Sequence, residues 1–343
     1  MSFPIITILI IVLIGLAFAL SFSTGANDET LAPLAGANIF KFKFVLMLGG
    51  VALACGLIFL SQGVSKTVGS DILGPDMKYS TYMLLAVLIG SITWLILGSL
   101  LGLPLSSTHC IIGSVFGVVI IYALFQGDVE LASAFNNDLL INIVISWFLS
   151  PIFGFLISYM IFKTLGKFHL FRLKGLNQIE KSERLCTWLL LFSVLGCGLF
   201  AGGNDGGKIV GLLYGLYNNG SINISQYFFF VVVCGIFVFL GIYFVGRFVI
   251  KNLASQMTEA RPSEGFVIQL SSMLILMVYT LLALPVSHTH VLVFAILGLN
   301  LAQKKETDYK ALGKMIAFWI LTFPIAALFA GFMYFGFLLF GFN

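Results

Sequence analysis

Ten stretches of apolar sequence follow one another along this chain, at residues 4–22, 43–62, 80–101, 107–125, 138–163, 185–201, 226–250, 266–283, 288–302 and 311–340. Most approach the ~20 residues that an α-helix needs to cross the ~30 Å hydrocarbon core of a bilayer. With no water there, each backbone N–H and C=O must be satisfied inside its own segment, so stretches of this kind fold as helices. Charge content points the same way. Only 9% of the 343 residues are Asp, Glu, Lys or Arg, against about 25% in a soluble domain, too few to solvate a surface of this size. The expected fold class is an all-α polytopic membrane protein.

The first stretch could be mistaken for a signal peptide, but those have a basic start and a small-residue cleavage site. Here no Lys or Arg precedes Lys41, and the stretch runs straight into Gly25-Ala26-Asn27-Asp28. It reads as a retained first helix. The five cysteines (Cys55, Cys110, Cys186, Cys197 and Cys234) are odd in number, lie in or beside apolar segments and show no CxxC spacing. They read as free thiols packed as small hydrophobes. The net charge of +4 sits mostly in loops, and nothing in its distribution suggests a nucleic-acid partner.

The chain repeats itself. Gly25-Ala26-Asn27-Asp28 is answered by Gly202-Gly203-Asn204-Asp205, and Leu103-Pro104-Leu105-Ser106-Ser107-Thr108-His109 by Leu284-Pro285-Val286-Ser287-His288-Thr289-His290. Asn27 precedes Pro104 by 77 residues and Asn204 precedes Pro285 by 81. Two motifs in one order at nearly one interval imply an internal duplication. The expected organisation is a first transmembrane repeat at 1–163, a basic cytoplasmic linker at 164–184 and a second transmembrane repeat at 185–343.

Loop charge predicts the orientation. The stretch from Lys163 to Arg184 carries Lys163, Lys167, Arg172, Lys174, Lys181 and Arg184, so it is placed in the cytoplasm. The loop from Gln126 to Asp138 has Asp128, Glu130 and Asp138 and no basic residue. Its counterpart from Gln303 to Lys314 has Lys304, Lys305, Lys310 and Lys314. Opposite charge on equivalent loops is what inverted-topology repeats predict, with broken or re-entrant helices at the midplane and both termini outside. The host is expected to be the cytoplasmic membrane, crossed many times, and small-residue faces permit a homodimer.

The polar residues inside this apolar frame carry the chemistry. An Asp at membrane depth costs ~2.5–3.5 kcal/mol even on a lenient scale, so it persists where it is paired or binds an ion. Asn27-Asp28 and Asn204-Asp205 each follow an apolar span and a glycine, and each leads into a stretch expected to be a short or broken helix. A carboxylate with Asn and carbonyl oxygens suits a small hard cation such as Na⁺; helix capping at the membrane surface is the other reading. Pro104 and Pro285 are expected to end the preceding helices. Ser106-Ser107-Thr108 and Ser287-His288-Thr289 then open new ones. Their hydroxyls and free N–H groups can cap the helix or, with the positive end of its dipole, cradle an oxyanion.

His109 and His290 follow the Thr of each motif and can hydrogen-bond to carbonyls or couple a proton. His288 and His290 are two apart, which points their rings away from each other on a helix and argues against zinc. The run Gly63-Val64-Ser65-Lys66-Thr67-Val68-Gly69-Ser70 lacks P-loop spacing, which removes ATPase chemistry. An intramembrane aspartyl protease would leave the duplicated hydroxyl motifs without a purpose, so no enzyme activity and no cofactor are expected.

These paired segments, with Gly63 to Leu73 beside them, make the chain resemble the inorganic phosphate transporter (PiT) family over nearly its whole length. The resemblance implies a symporter that moves inorganic phosphate with Na⁺ or H⁺ by alternating access. Carried over by position, Asn27, Asp28, Asn204 and Asp205 are implied as cation ligands and site organisers, with Asp28 and Asp205 holding Na⁺. Ser106, Ser107, Thr108, Ser287, His288 and Thr289 are implied at the phosphate. The family pattern continues Asn-Asp-Val-Ala-Asn, whereas this chain reads Asn27-Asp28-Glu29-Thr30-Leu31 and Asn204-Asp205-Gly206-Gly207-Lys208. Glu29 and Lys208, with His109 and His290, are therefore candidates for coupling or charge balance. Lys208 would weaken a Na⁺ site beside it or replace that cation in balancing the anion. A sulfate or other oxyanion permease stays open, as does an anion channel, although membrane carboxylates would hinder anions in a pore.

Overall fold

The computed structural model describes residues 3–36, 40–100, 105–126, 129–168, 175–248, 250 and 261–342. Among these the regular elements are helical: α1 (Phe3–Ala26), α2 (Ala32–Gly36), α3 (Phe42–Leu60), α4 (Gln62–Lys66), α5 (Thr81–Leu100), α6 (Ser107–Gln126), α7 (Asn137–Phe168), α8 (Leu176–Asn218), α9 (Ile224–Gly241), α10 (Pro262–Leu281), α11 (His288–Gln303) and α12 (Tyr309–Leu339). Eight helices among the described residues are long and apolar enough to cross a membrane, and Thr81–Leu97 and His288–Gln303 are shorter apolar helices. Each of the ten apolar stretches of the sequence falls on a helix. The chain is a multi-pass membrane protein. Its outward faces carry large apolar side chains such as Phe59, Phe148, Phe192 and Phe332, which only a lipid solvent leaves without penalty.

Helices from the two halves of the chain are interleaved. α3 packs along α8, α1 along α9, α6 along α12, and α7 along α11. Without a hydrophobic drive between helices in lipid, association depends on close backbone approach through small residues. A Cβ on Gly56 would lie 1.9 Å from the Leu199 carbonyl oxygen, and one on Gly202 would lie 2.1 Å from that of Leu53. The α3–α8 seam therefore exists because both positions are glycine. The same device closes α6 on α12, where a Cβ on Gly117 would lie 1.9 Å from the Ala327 oxygen.

Several sequence expectations meet their test here. α1 stops at Ala26, and the chain turns through Asn27–Leu31 before the short α2, as the first Asn-Asp pair predicts. The second pair does not break its helix. Asn204 and Asp205 lie inside α8, which runs unbroken for 43 residues, about 65 Å at 1.5 Å per residue. The expected span at 185–201 is therefore only the middle of a longer element. The flanking glycines serve packing instead: Gly203 faces Leu60, Gly206 faces Leu57 and Gly207 faces Val64. The Asn204 side chain bonds outward to another segment, so it does not compete with its own helix.

α10 ends at Leu281, and residues 284–287 are non-helical before α11 starts at His288, as expected from Pro285. Pro104 lies outside the described residues, between the end of α5 and the start of α6. So do Asp128 and the linker residues 169–174, among them Arg172 and Lys174. The described parts of the linker are helical apart from Gly175: Phe168 closes α7 and Leu176 opens α8.

Candidate functional site

The two helix breaks and the middle of α8 meet at a cavity of ≈ 720 Å³. Asn27, Asp28 and Glu29 line it from the turn after α1, Ser107 from the first turn of α6, and Asp205 from α8. Ser287, His288 and Thr289 line it from the start of α11. Eight of the fourteen residues singled out by sequence therefore share one space, although the chain delivers them from four separate segments.

Two of the three acidic groups are held differently. The Asp28 Oδ1 accepts the Thr30 N–H at 2.9 Å, a local turn that aims the carboxylate into the cavity. Among the described residues Asp28 has no Lys or Arg partner. Asp205 accepts a hydrogen bond from the ammonium of Lys208, one turn along α8. Glu29 stands against Thr289, across the cavity from its own segment. The cavity wall thus combines carboxylates with the N-terminal turns of two helices. Those turns present free N–H groups and the positive ends of two dipoles.

The other six predicted residues are buried behind the wall and hold it in shape. Asn204 is the main clamp. Its Nδ2 donates to the Leu284 carbonyl at 3.0 Å, and its Oδ1 accepts the Val286 N–H at 3.0 Å. These two bonds satisfy both sides of the extended segment that precedes α11, which no helix ladder serves. Ser106 Oγ accepts the His109 N–H at 3.3 Å and so caps α6. Thr108 donates to the Val286 carbonyl at 2.9 Å, joining the start of α6 to the segment before α11. Lys208 donates to Thr108 and to that same carbonyl.

His109 and His290 stack with ring centroids 4.9 Å apart. Trp147 closes one end of this stack, 4.4 Å from His109, and Trp319 the other, 3.9 Å from His290. His288 turns the other way, lining the cavity and meeting the Cys197 sulfur at 3.6 Å. Among the described residues no group of three or more His, Cys, Asp or Glu is placed to hold a metal ion.

Sequence reasoning missed Ser23 and Thr24, which line the cavity from the last turns of α1. Two hydroxyls inside an apolar span, directly before Gly25, were the available signal. It also missed Trp147, whose Nε1–H donates to the Pro285 carbonyl at 3.0 Å, and Thr67, whose hydroxyl donates to the Ala283 carbonyl at 2.7 Å. Trp147 fastens that extended segment and Thr67 the turn just before it.

The phosphate transporter family profile matches residues 24–330, a range that takes in every residue of this cavity except those of α1 before Thr24. The chain belongs to the phosphate transporter family. Similar members include a Thermococcus kodakarensis protein provisionally described as a phosphate permease, 26% identical over 95% of this chain and 97% of that one. A Bacillus subtilis protein named "Probable low-affinity inorganic phosphate transporter" is 26% identical over 96% of this chain and 98% of its own. Among solved structures, one titled "The sodium-dependent phosphate transporter" superposes with a TM-score of 0.84 at 20% identity, covering 96% of this chain and 99% of that chain. At that identity the likeness establishes a shared fold.

Within this family member the clamp makes a direct prediction. Asn204→Leu removes both bonds to the segment before α11, leaving the part-buried Leu284 C=O and the buried Val286 N–H unpaired, the latter at a cost of about 1–3 kcal/mol. Melting of the purified protein should fall by several degrees, and substrate uptake by at least about tenfold. A variant that melts and transports as the parent does would show that residues 284–287 are held by other bonds.

Proposed function

We propose that this chain is a secondary active symporter, not an enzyme, that carries inorganic phosphate together with Na⁺ or H⁺ by alternating access. The observation that carries this reading is the single cavity that collects Asp28 and Asp205 with the opening turns of α6 and α11. Phosphate is costly to strip of water. Two helix N-termini and the hydroxyls of Ser107, Ser287 and Thr289 offset part of that cost. The carboxylates of Asp28 and Glu29 would repel the anion unless cations join it, whereas Asp205 already faces the Lys208 ammonium. Cations should therefore bind before phosphate or with it, and each should tighten the other by the same factor. Asn27 and Asp28 are the cation ligands on this reading, and Asn204 organises the site.

The duplicated motifs support two repeats of opposite orientation, with the halves of the cavity wall contributed by each, in the cytoplasmic membrane. Sulfate is the competing substrate, because its tetrahedral oxygens fit the same donors. The test is uptake of labelled phosphate into proteoliposomes under a Na⁺ gradient, a proton gradient or neither, each with and without excess sulfate. Na⁺-driven uptake indifferent to sulfate is the expected result. Uptake driven only by protons would assign the coupling to H⁺, uptake blocked by sulfate would change the substrate, and uptake indifferent to any gradient would make the protein a channel.

A further inference from the structure

Lys208 is a charged side chain with no exposed surface. Its Nζ donates to the Asp205 carboxylate, to the Thr108 hydroxyl at 2.6 Å and to the Val286 carbonyl at 2.9 Å. An ammonium has three N–H donors, and these three oxygens take all of them. A carboxylate, a hydroxyl and a peptide carbonyl are also the oxygen ligands that hard cations take. They arrive from α8, from the first turn of α6 and from the segment before α11. The cage therefore forms only in the folded protein, and the chain fills it with its own cation.

The first aspartate is built otherwise. Asp28 lines the cavity as Asp205 does, but the residue three positions on is Leu31, fully buried and packed against Gly49. Asp28 is left with the Thr30 N–H and no ammonium. Of the Lys208 cage, only Asp205 reaches the cavity, so Lys208 cannot touch a substrate and acts through the charge it places behind that carboxylate.

We propose that the Lys208 ammonium is a tethered cation that permanently occupies the Asp205 site, so that a mobile coupling cation binds at Asp28 and none at Asp205. This rests on the symport reading above. Each phosphate then crosses with one mobile cation fewer than it would with a neutral residue at 208, and accumulation is driven less steeply by the cation gradient. Lys208 is a positioning residue for charge, and a purely structural ion pair would not set cation stoichiometry.

The test uses the full chain with Lys208→Asn and, independently, Lys208→Gln. Bound Na⁺ per chain is counted at equilibrium with labelled Na⁺. Melting is compared in Na⁺ and in choline, and the cation-to-phosphate flux ratio is measured in proteoliposomes. Each variant should bind one more Na⁺ than the parent, and transport with a ratio higher by one. Its melting temperature should rise by several degrees on adding Na⁺, more than the parent's does. A variant that is monodisperse only in Na⁺ supports the proposal equally. The same Na⁺ count in parent and variants overturns it, as do variants that misfold in both salts, since Lys208 would then be a fastener that no cation can replace. Should the parent carry no phosphate while the variants still gain a Na⁺, the transport reading fails and the tethered cation stands.

Discussion

Asp205→Ala is expected to lower the stability of this protein by about 3–5 kcal/mol and to abolish uptake, whereas Asp28→Asn should abolish cation-driven uptake and leave stability unchanged or slightly raised. The difference follows from what each carboxylate holds. Removing Asp205 strands the buried Lys208 ammonium with only a hydroxyl and a carbonyl. Breaking a buried pair from one side leaves an uncompensated charge, which is costly on that scale. Asp28 has no ammonium partner, and its hydrogen bond from the Thr30 N–H can be accepted equally by an Asn side-chain oxygen. Removing a charge that is only 8% exposed, and that has the His288 ring beside it but no Lys or Arg, carries little stability cost. The measurement is a melting curve beside an uptake assay for each variant. Two aspartates that occupy matching places in the sequence should thus separate cleanly, one structural and functional, the other functional alone. Equal melting losses for both would mean that the Asp205–Lys208 pair holds nothing that Asp28 does not.

The second large effect is expected at the seam between α3 and α8. Gly202→Val places a branched side chain where even a Cβ would sit 2.1 Å from the Leu53 carbonyl oxygen. That atom is backbone, so the two helices must separate along their length, and the cavity wall that α8 carries moves with them. A loss above about 4 kcal/mol is exceptional for one substitution and is diagnostic of such overpacking. The variant should fail to give a monodisperse peak on size exclusion in detergent, while Gly15→Ala serves as the control. A Cβ at Gly15 meets nothing within 4 Å, and replacing a mid-helix glycine by alanine gains up to about 1 kcal/mol. A Gly202→Val protein that folds and transports would show that the α3–α8 contact tolerates a wider spacing.

The membrane fold was open to reading from residues alone, because the constraint is local. A stretch without charges, ~20 residues long, satisfies its own backbone in lipid whatever its neighbours do. The motif residues were legible for a related reason. Asp28, Asp205 and the Ser107 and Thr289 hydroxyls are conspicuous against apolar surroundings, and their repetition removed coincidence. The continuity of α8 was misread at Asn204-Asp205 since a Gly-Asn-Asp-Gly run has the same local preferences whether it turns or packs. Propensity there differs by only about 1 kcal/mol per glycine, which the close approach of α3 readily overrides. The roles of Trp147 and Thr67 were invisible because each bonds a backbone carbonyl more than a hundred residues away.

What the sequence by itself determined about this protein is therefore its multi-pass helical character, with ten apolar stretches that each fall on a helix, and which polar side chains interrupt them. Only the tertiary structure decided how those side chains divide. Eight of them line the cavity and six support it from behind. It also decided that Asp28 faces the cavity without an ammonium partner while Lys208 occupies the oxygens around Asp205. The physical reason is separation along the chain. The Lys208 cage joins residues 78 and 100 positions apart, and no local preference reports a contact that forms only when helices from both halves close on one another.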